Sequence, residues 1–511
     1  MSFEPPFLLG VDAGTSRVRA VLFDRCGREV SAAAVPTPVA TPAPGQADYD
    51  PEVLWQAAAR VIGEAACGLP AGAPLAGLAV ASVGESAVPV DPAGRPLAPA
   101  MAWFDDRTKP QLIEVERTLG RDRLFALTGL APDHTFGAYK LLWLRQHWPD
   151  AFAAMRRWLN VSDWIAFRLT GVQATDYSLA SRTHLLDLSA RAWADELFDS
   201  LRLDATVMAP LRPCGARLGE VLPEIAAELG LPGGVAVGVG GHDHILGALA
   251  AGAIRQSVML DSLGTAEALL LATEAAVRDQ RAVDRGYAQE IATVGDLQLS
   301  CIFGGLVSCG GAIAWFREKV AGGATFDALA AEAGTVLPGA GGTLFVPHLR
   351  YSAMPHPDTC ARGAFVGLSA EAGRAELFRA VLEGVALEGR AIVEGALDLP
   401  GVQPPERIRV IGGGTRNELF LRIKASVLGR ALEVSPAPET TALGAALMGG
   451  LAAAVWPDLD TALADLAGEW RMVEPYRTWQ ADYDALFEQA YAGAYDALRP
   501  LNHALAAWQG G

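Results

Sequence analysis

Apolar and polar residues alternate along this chain with two different periods, and the two regimes take turns. Phe7–Val11 is a short apolar run that reads as a buried strand. After Asp12-Ala-Gly-Thr-Ser16, Val18, Ala20 and Leu22 alternate with Arg17, Arg19 and Val21, which predicts a returning strand. Asp24-Arg-Cys-Gly27 makes the next turn and Glu29–Val35 a third strand, so the chain opens as an antiparallel meander. Leu75–Val83 and Gly234–Val239 read as further buried strands. Between them Trp55–Ala66, Lys109–Thr118, Ala138–His147 and Trp158–Leu169 carry apolar residues at helical spacing.

The second half begins much as the first does. Val258–Leu260 is apolar, Asp261-Ser-Leu-Gly-Thr265 is the turn, and Ala266–Leu271 returns. Helical patterns follow at Gly310–Val320, Ala370–Ala396 and Glu418–Leu428, with strands at Arg407–Ile411 and Ala431–Val434. Sheets flanked by helices twice over predict an α/β protein of two domains, residues 1–246 and 247–511, with the boundary near Gly247–Arg255. Each half opens as strand, Asp, Gly-Thr turn, strand. Two chance hairpins would explain that order, but its occurrence once per domain favours two facing phosphate turns, as in a duplicated actin-like ATPase.

Composition narrows the field. At 511 residues, with 51% hydrophobic and 19% charged residues, the chain has material for two packed cores. A formal charge of −17 argues against a broad nucleic-acid or anionic-membrane surface. The six cysteines show no paired zinc spacing and read as reduced, mostly buried thiols of a cytosolic protein. Met1–Pro6 has no basic or apolar leader pattern. Thr440–Trp456 is uncharged and almost as long as a membrane span, but it is built from Ala and Gly. It therefore predicts a buried helix packed through small residues rather than a membrane helix.

Two glycine-rich segments invite competing readings. Gly240-Gly-His-Asp-His244 follows the strand Val235–Val239. His242 and His244 around Asp243 suggest a metal site, yet neighbours on an extended chain point to opposite faces, which argues against a shared ion. Asp243 as the cap of a helix beginning near Ile245 is the alternative. Val410-Ile-Gly-Gly-Gly-Thr-Arg-Asn417 sits between a strand and a helix like a dinucleotide fingerprint. Asn417 stands where that motif needs its third glycine, and Glu433 falls inside the next strand rather than at its end, so a nicotinamide site is disfavoured.

Over nearly its whole length the chain resembles the FGGY family of carbohydrate kinases. Gly363-Ala-Phe-Val-Gly-Leu368 followed by Glu376-Leu-Phe-Arg-Ala-Val-Leu-Glu383 matches the family's second signature at every constrained position. Lys140-Leu-Leu-Trp-Leu144 fits the first signature, while Thr135 and Gly137 upstream depart from it. Leu169-Thr-Gly171, Thr175-Asp176 and Ala180-Ser-Arg-Thr183 are similar to glycerol kinase and its relatives.

The resemblance implies two ribonuclease H-like domains, of the actin and hexokinase type, around a central cleft. It implies ATP and Mg²⁺ as cofactors and a small sugar or polyol as acceptor. By position, Asp243 is implied as the catalytic general base and as a substrate contact. Gly14, Thr15 and Ser16 are implied as one phosphate turn, Gly264 and Thr265 as the other, and Asp12 as the Mg²⁺ residue, directly or through water. Gly413, Gly414 and Asn417 match the adenosine turn; Gly310 and Gly311 match a loop beside adenine and ribose, with close helix packing as the alternative. Glu85, Trp103, Asp105 and His244 are expected at the sugar, whereas Asp163 and Asp176 are expected as helix caps or structural hydrogen-bonding residues. Many xylulokinases have Gln-Met-His-Gly where this chain has Val83-Gly-Glu-Ser86, and Asn where it has His244. D-Xylulose leads among acceptors, with glycerol, erythritol-type polyols and other ketoses open. An actin-fold ATP hydrolase and a sugar sensor on the same scaffold are the other classes. A homodimer is a family-level expectation.

Overall fold

The computed structural model describes residues 3–510. Met1 and Ser2, the start of the segment read as leader-free, and Gly511 lie outside the described residues. Two compact units divide the chain: one of Met1–Ile254, Gln289–Cys301 and Glu439–Gly468, the other of Arg255–Ala288, Ile302–Pro438 and Glu469–Gly511.

The first unit is built on a mixed sheet. Its strands lie in the order Arg217–Glu220, Ala236–Gly238, Leu75–Ser82, Phe7–Ala13, Arg17–Phe23, Glu29–Pro36, and Gly241–His242 pairs with Leu75–Ser82 as well. The opening meander is antiparallel, with Asp12 opposite Arg19 and Ala13 opposite Val18. Phe7–Ala13 then runs parallel to Leu75–Ser82. The parallel pair is buried on both faces, which is why Phe7–Val11 and Leu75–Ser82 read as unbroken apolar runs rather than alternating ones.

One face of this sheet is closed by a helix from far along the chain. Thr440–Ala452 packs on the strands Phe7–Ala13 and Leu75–Ser82. The contact is backbone to backbone: a Cβ on Gly10 would lie 1.7 Å from the Ala442 carbonyl oxygen, and one on Gly77 would lie 2.2 Å from that of Gly449. Small residues are thus required here by approach distance. Among the described residues no helix is long and apolar enough to cross a membrane.

The second unit repeats the plan. Val258–Leu263 and Glu267–Thr273 form an antiparallel hairpin, and Val258–Leu263 runs parallel to Arg407–Ile411. Within this unit the strands run in the order Glu267–Thr273, Val258–Leu263, Arg407–Ile411, Leu432–Val434, Arg471–Val473. A hairpin whose first strand takes a parallel neighbour, with helices behind, is the ribonuclease H-like arrangement, here present twice. The six cysteines are free; three are buried, two half-buried and Cys67 exposed, so the thiols are less uniformly buried than their composition suggested.

Candidate active site

The first Gly-Thr turn is closed by its own backbone. The Gly14 amide donates to Arg17 O at 3.0 Å, and Thr37 ties the turn down through Gly14 O and Ser16 O. The amides of Thr15 and Ser16 have no acceptor among the described residues, which leaves two donors for an anion. Asp12 sits just before them, and its Oδ1 is buried with no hydrogen-bond partner. Burial, then the negative charges of Asp243 and Glu439, push the Asp12 carboxyl up to about 8, against the pull of Arg19. Arg19 is itself drawn into an ion pair with Glu439.

Strand register explains why Asp243 is among those neighbours. Asp12 pairs with Ala81 and Ala13 with Ser82; on the far side of the same strand Gly241 pairs with Ala81 and His242 with Ser82. Two ladder spacings, about 10 Å, therefore separate the backbones that lead into the two acids. The helix Asp243–Ala250 starts at Asp243 itself, with His242 as its N-cap residue, so the expected cap for a helix beginning near Ile245 is corrected. The side chain of Asp243 accepts from the His244 amide at 2.6 Å and keeps 22% of its surface exposed.

That early helix start also overturns the argument from opposite faces. The chain turns from strand to helix between His242 and His244, and one ligand atom from each of His242, Asp243 and His244 falls within 4.8 Å of the others. The two rings meet edge to face at 5.1 Å. His242, however, is engaged elsewhere: its Nδ1 lies 2.9 Å from Glu290 Oε2. Glu290 comes from a strand no motif marked; an acid inside the apolar run Ala288–Val294 was the available signal.

The residues expected at the sugar divide into two kinds. Glu85 holds a left-handed backbone (φ 59°), is 7% exposed, and accepts from Arg182 Nε at 2.6 Å. A strained, buried, ion-paired acid at the end of a strand is the kind of residue found at binding sites. Trp103 is partly exposed and donates from Nε1 to Thr15 Oγ1 at 2.9 Å, which ties this expected sugar contact to the phosphate turn. Asp105 must be corrected. It is fully buried, and its oxygens are taken by the Ala47 amide, the Arg107 amide and the Arg107 guanidinium, so it shapes the loop and offers no acceptor. His244, with a side chain 37% exposed, stays beside Asp243.

Lys140, known from sequence only as part of a signature, holds these loops together. Its buried ammonium donates to the carbonyls of Glu85 (3.0 Å), Met101 (3.2 Å) and Ala102 (2.9 Å). Burial pulls it down to about 8. Asp176 caps the helix Tyr177–Ser181 and Asp163 completes a capping box with Asn160, the structural roles expected of them.

In the second unit Gly264 closes its turn onto Ala266 O at 2.9 Å, and the Thr265 amide has no acceptor among the described residues. Gly310 and Gly311 donate to the carbonyls of Gly264 and Thr265, at 3.1 and 2.9 Å. Their amides are thus spent on bracing the turn, and a Cβ on Gly310 would lie 2.5 Å from Gly264 O, so close packing accounts for that glycine pair. Behind the turn Lys424 is buried between Asp261 and Glu267. Asn417 caps the helix Glu418–Leu428, accepting from Phe420 N at 3.1 Å. Gly413 is open: a Cβ there would meet only Arg416 Nη2, at 3.5 Å, whereas Gly412 (φ 90°) and Gly414 are pressed against Leu263. Glu433 is held by Arg407 at 2.7 Å.

A hairpin whose turn ends in an unpaired threonine amide, repeated in two ribonuclease H-like units, is the actin and hexokinase type of fold, and comparison with known proteins fixes the family. Residues 7–250 match the N-terminal domain, and residues 259–453 the C-terminal domain, of the FGGY family of carbohydrate kinases; the chain belongs to that family. It is an ATP-dependent sugar or polyol kinase. It is 32% identical to a glycerol kinase of Gloeobacter violaceus over 455 residues, 88% of this chain and 89% of that one. It is 28% identical to a xylulose kinase of Lactococcus lactis over 459 residues, 89% of each. The crystal structure of xylulose kinase from Rhodospirillum rubrum superposes with a TM-score of 0.85 at 27% identity, covering 98% of this chain and 100% of that one.

Proposed function

We propose that this kinase transfers the γ-phosphoryl group of ATP to a hydroxyl of D-xylulose, with Asp243 as the general base. The observation that supports it most is the placement of a partly exposed Asp243 and of Asp12, whose Oδ1 is buried and unpartnered, on either side of one strand. In this reading Asp243 accepts the hydroxyl's proton as the new P–O bond forms, a role worth about 10²–10⁴-fold. Glu85 and the indole of Trp103 orient the acceptor, and Arg182 keeps Glu85 fixed. The free amides of Thr15, Ser16 and Thr265 suit phosphate oxygens, and Gly413, Gly414 and Asn417 suit the adenosine.

A divalent cation fits the first unit. Asp12 Oδ1 is buried without a donor, and two further carboxylates, Asp243 and Glu439, add negative charge around it. Asp12 would hold Mg²⁺, directly or through water. When bound, the ion neutralises charge on the phosphates during transfer.

Glycerol is the second reading, because a glycerol kinase is a relative at 32% identity. The test is ADP release with a panel of ketoses and polyols, for the wild type and Asp243→Asn. D-Xylulose is expected to give the highest kcat/KM, and Asp243→Asn to abolish turnover with ATP binding intact. Highest kcat/KM with glycerol would move the assignment to glycerol, near-normal turnover in Asp243→Asn would remove the base, and ATP consumption indifferent to every acceptor would sink the xylulose reading.

A further inference from the structure

Asp243 has a charged neighbour behind it: His242, whose ring is clamped. Its Nδ1 meets Glu290 Oε2 at 2.9 Å, and its Nε2 lies 3.4 Å from Asp243 Oδ1. The backbone is fixed as well: His242 N donates to Ser178 Oγ at 2.9 Å, and that hydroxyl donates to the capping acid Asp176 at 2.6 Å. Glu290 is buried, and Arg182 Nη1 stands 3.4 Å from its other oxygen. One guanidinium therefore touches both Glu85 at the acceptor wall and Glu290 behind the base.

We propose that His242, oriented by Glu290, is a positioning residue for the base: it fixes the Asp243 carboxylate and supplies the positive charge that holds it ready for the acceptor's proton. The inference rests on Asp243 being that base, and it assigns His242 and Glu290 a role in the reaction that neither a motif nor a resemblance gives them.

Each ring nitrogen faces a carboxylate, Nδ1 at hydrogen-bond distance and Nε2 at charge-contact distance, and that arrangement favours the doubly protonated ring. The groups facing His242 are Glu290 and Asp243, Arg182 beyond Glu290, and His244 on its own helix. Burial alone would push His242 down; Glu290 and Asp243 outweigh it, with Arg182 opposing, and raise the imidazole to about 9. His244 is pushed the other way, by burial first and by His242 also, so the pair carries one charge rather than two. In an acidic floor that also contains Asp12 and Glu439, that single charge is the counterweight next to Asp243.

The test compares the wild type, His242→Gln, Glu290→Gln and Asp243→Asn, using the best acceptor of the panel, from about pH 5 to about pH 9. Both positioning variants are expected to lose about tenfold or more in kcat. Both should move the acid limb of the kcat profile up by about one pH unit, as loss of an adjacent opposite charge does, with KM for ATP unchanged. Circular dichroism checks the fold, and Glu290→Gln reads the same contact from the far side if His242→Gln does not fold. Lost activity with an unmoved pH profile in the folded variants would reduce the pair to structural support and overturn the proposal. Wild-type kcat in either variant would overturn it too. Full turnover in Asp243→Asn would instead remove the base on which it stands, which is a separate and distinguishable failure.

Discussion

Lys424 sets its ammonium 2.7 Å from Asp261 Oδ2, with both side chains fully buried, as a charge contact rather than an aligned hydrogen bond. Glu267, on the returning strand of the same hairpin, pairs with the same lysine. Asp12, which leads into the other Gly-Thr turn, has no lysine and a bare Oδ1. The two hairpins share a plan but differ in electrostatics: one acid is neutralised from within by a lysine, the other is not.

Lys424→Met is therefore expected to be severe. It leaves two buried carboxylates without a counter-charge, a loss of about 3–5 kcal/mol. Urea unfolding should show the second unit's transition moving to lower denaturant. Lys424→Met with Asp261→Asn and Glu267→Gln should recover much of the loss, and a single variant as stable as wild type would show that the cluster contributes nothing.

Asp12→Asn should do the reverse. The folded carboxyl titrates near 8 and an unfolded one near 4, so the folded state holds the proton more tightly through that window. Asp12's contribution to stability is complete below about pH 4 and is lost as pH rises through about 8. Without Mg²⁺, the variant's advantage over wild type should then grow as pH rises from about 4 to about 8. Turnover should fall and the Mg²⁺ concentration for half activity should rise at least about tenfold. A variant that is no more stable in chelator, or one with unchanged Mg²⁺ dependence, would contradict this account of Asp12.

Gly413→Val separates nucleotide binding from folding. A Cβ there meets only the far end of Arg416, whereas one on Gly412 or Gly414 strikes Leu263. Gly413→Val should keep the wild-type melting temperature and raise KM for ATP about tenfold, equivalent to about 1.4 kcal/mol. Gly412→Val should lower stability as well. Unchanged ATP affinity in folded Gly413→Val would take that turn out of the adenosine site.

Lys140→Met tests the scaffold under the acceptor. Three buried carbonyls lose their common donor, at a cost of about 1–3 kcal/mol for each left unsatisfied. Because those carbonyls belong to Glu85, Met101 and Ala102, KM for the acceptor should rise more than KM for ATP. An equal effect on both would mean that Lys140 supports the unit in general.

What the sequence disclosed, and what it hid, follows the range of the interactions. The two hairpins, their parallel neighbours and the buried helix after residue 440 were legible because each rests on local periodicity or on small residues in a run. The caps at Asp163 and Asp176 were legible because capping is decided within three residues. The clamp on His242 was not, since Glu290 lies 48 residues away. Nor was the pairing of Arg182 with Glu85 across 97 residues. Asp105 misled because an acid next to an exposed tryptophan looks available until Arg107 folds back on it. The three residues 242–244 misled because the rule of opposite faces holds for a strand, and the strand ends at His242.

The helix Thr440–Ala452 has a consequence for how the molecule can be made. Its carbonyls lie where Gly10 has no side chain, so the sheet that begins at Phe7 has a bare, apolar face until that helix emerges. A ribosome that has released the first 254 residues has therefore released an unfinished domain, one whose missing layer is still to be translated. Cutting the gene at the obvious halfway point should yield aggregates rather than an independent N-terminal half, and supplying the segments 289–301 and 439–468 should rescue its solubility.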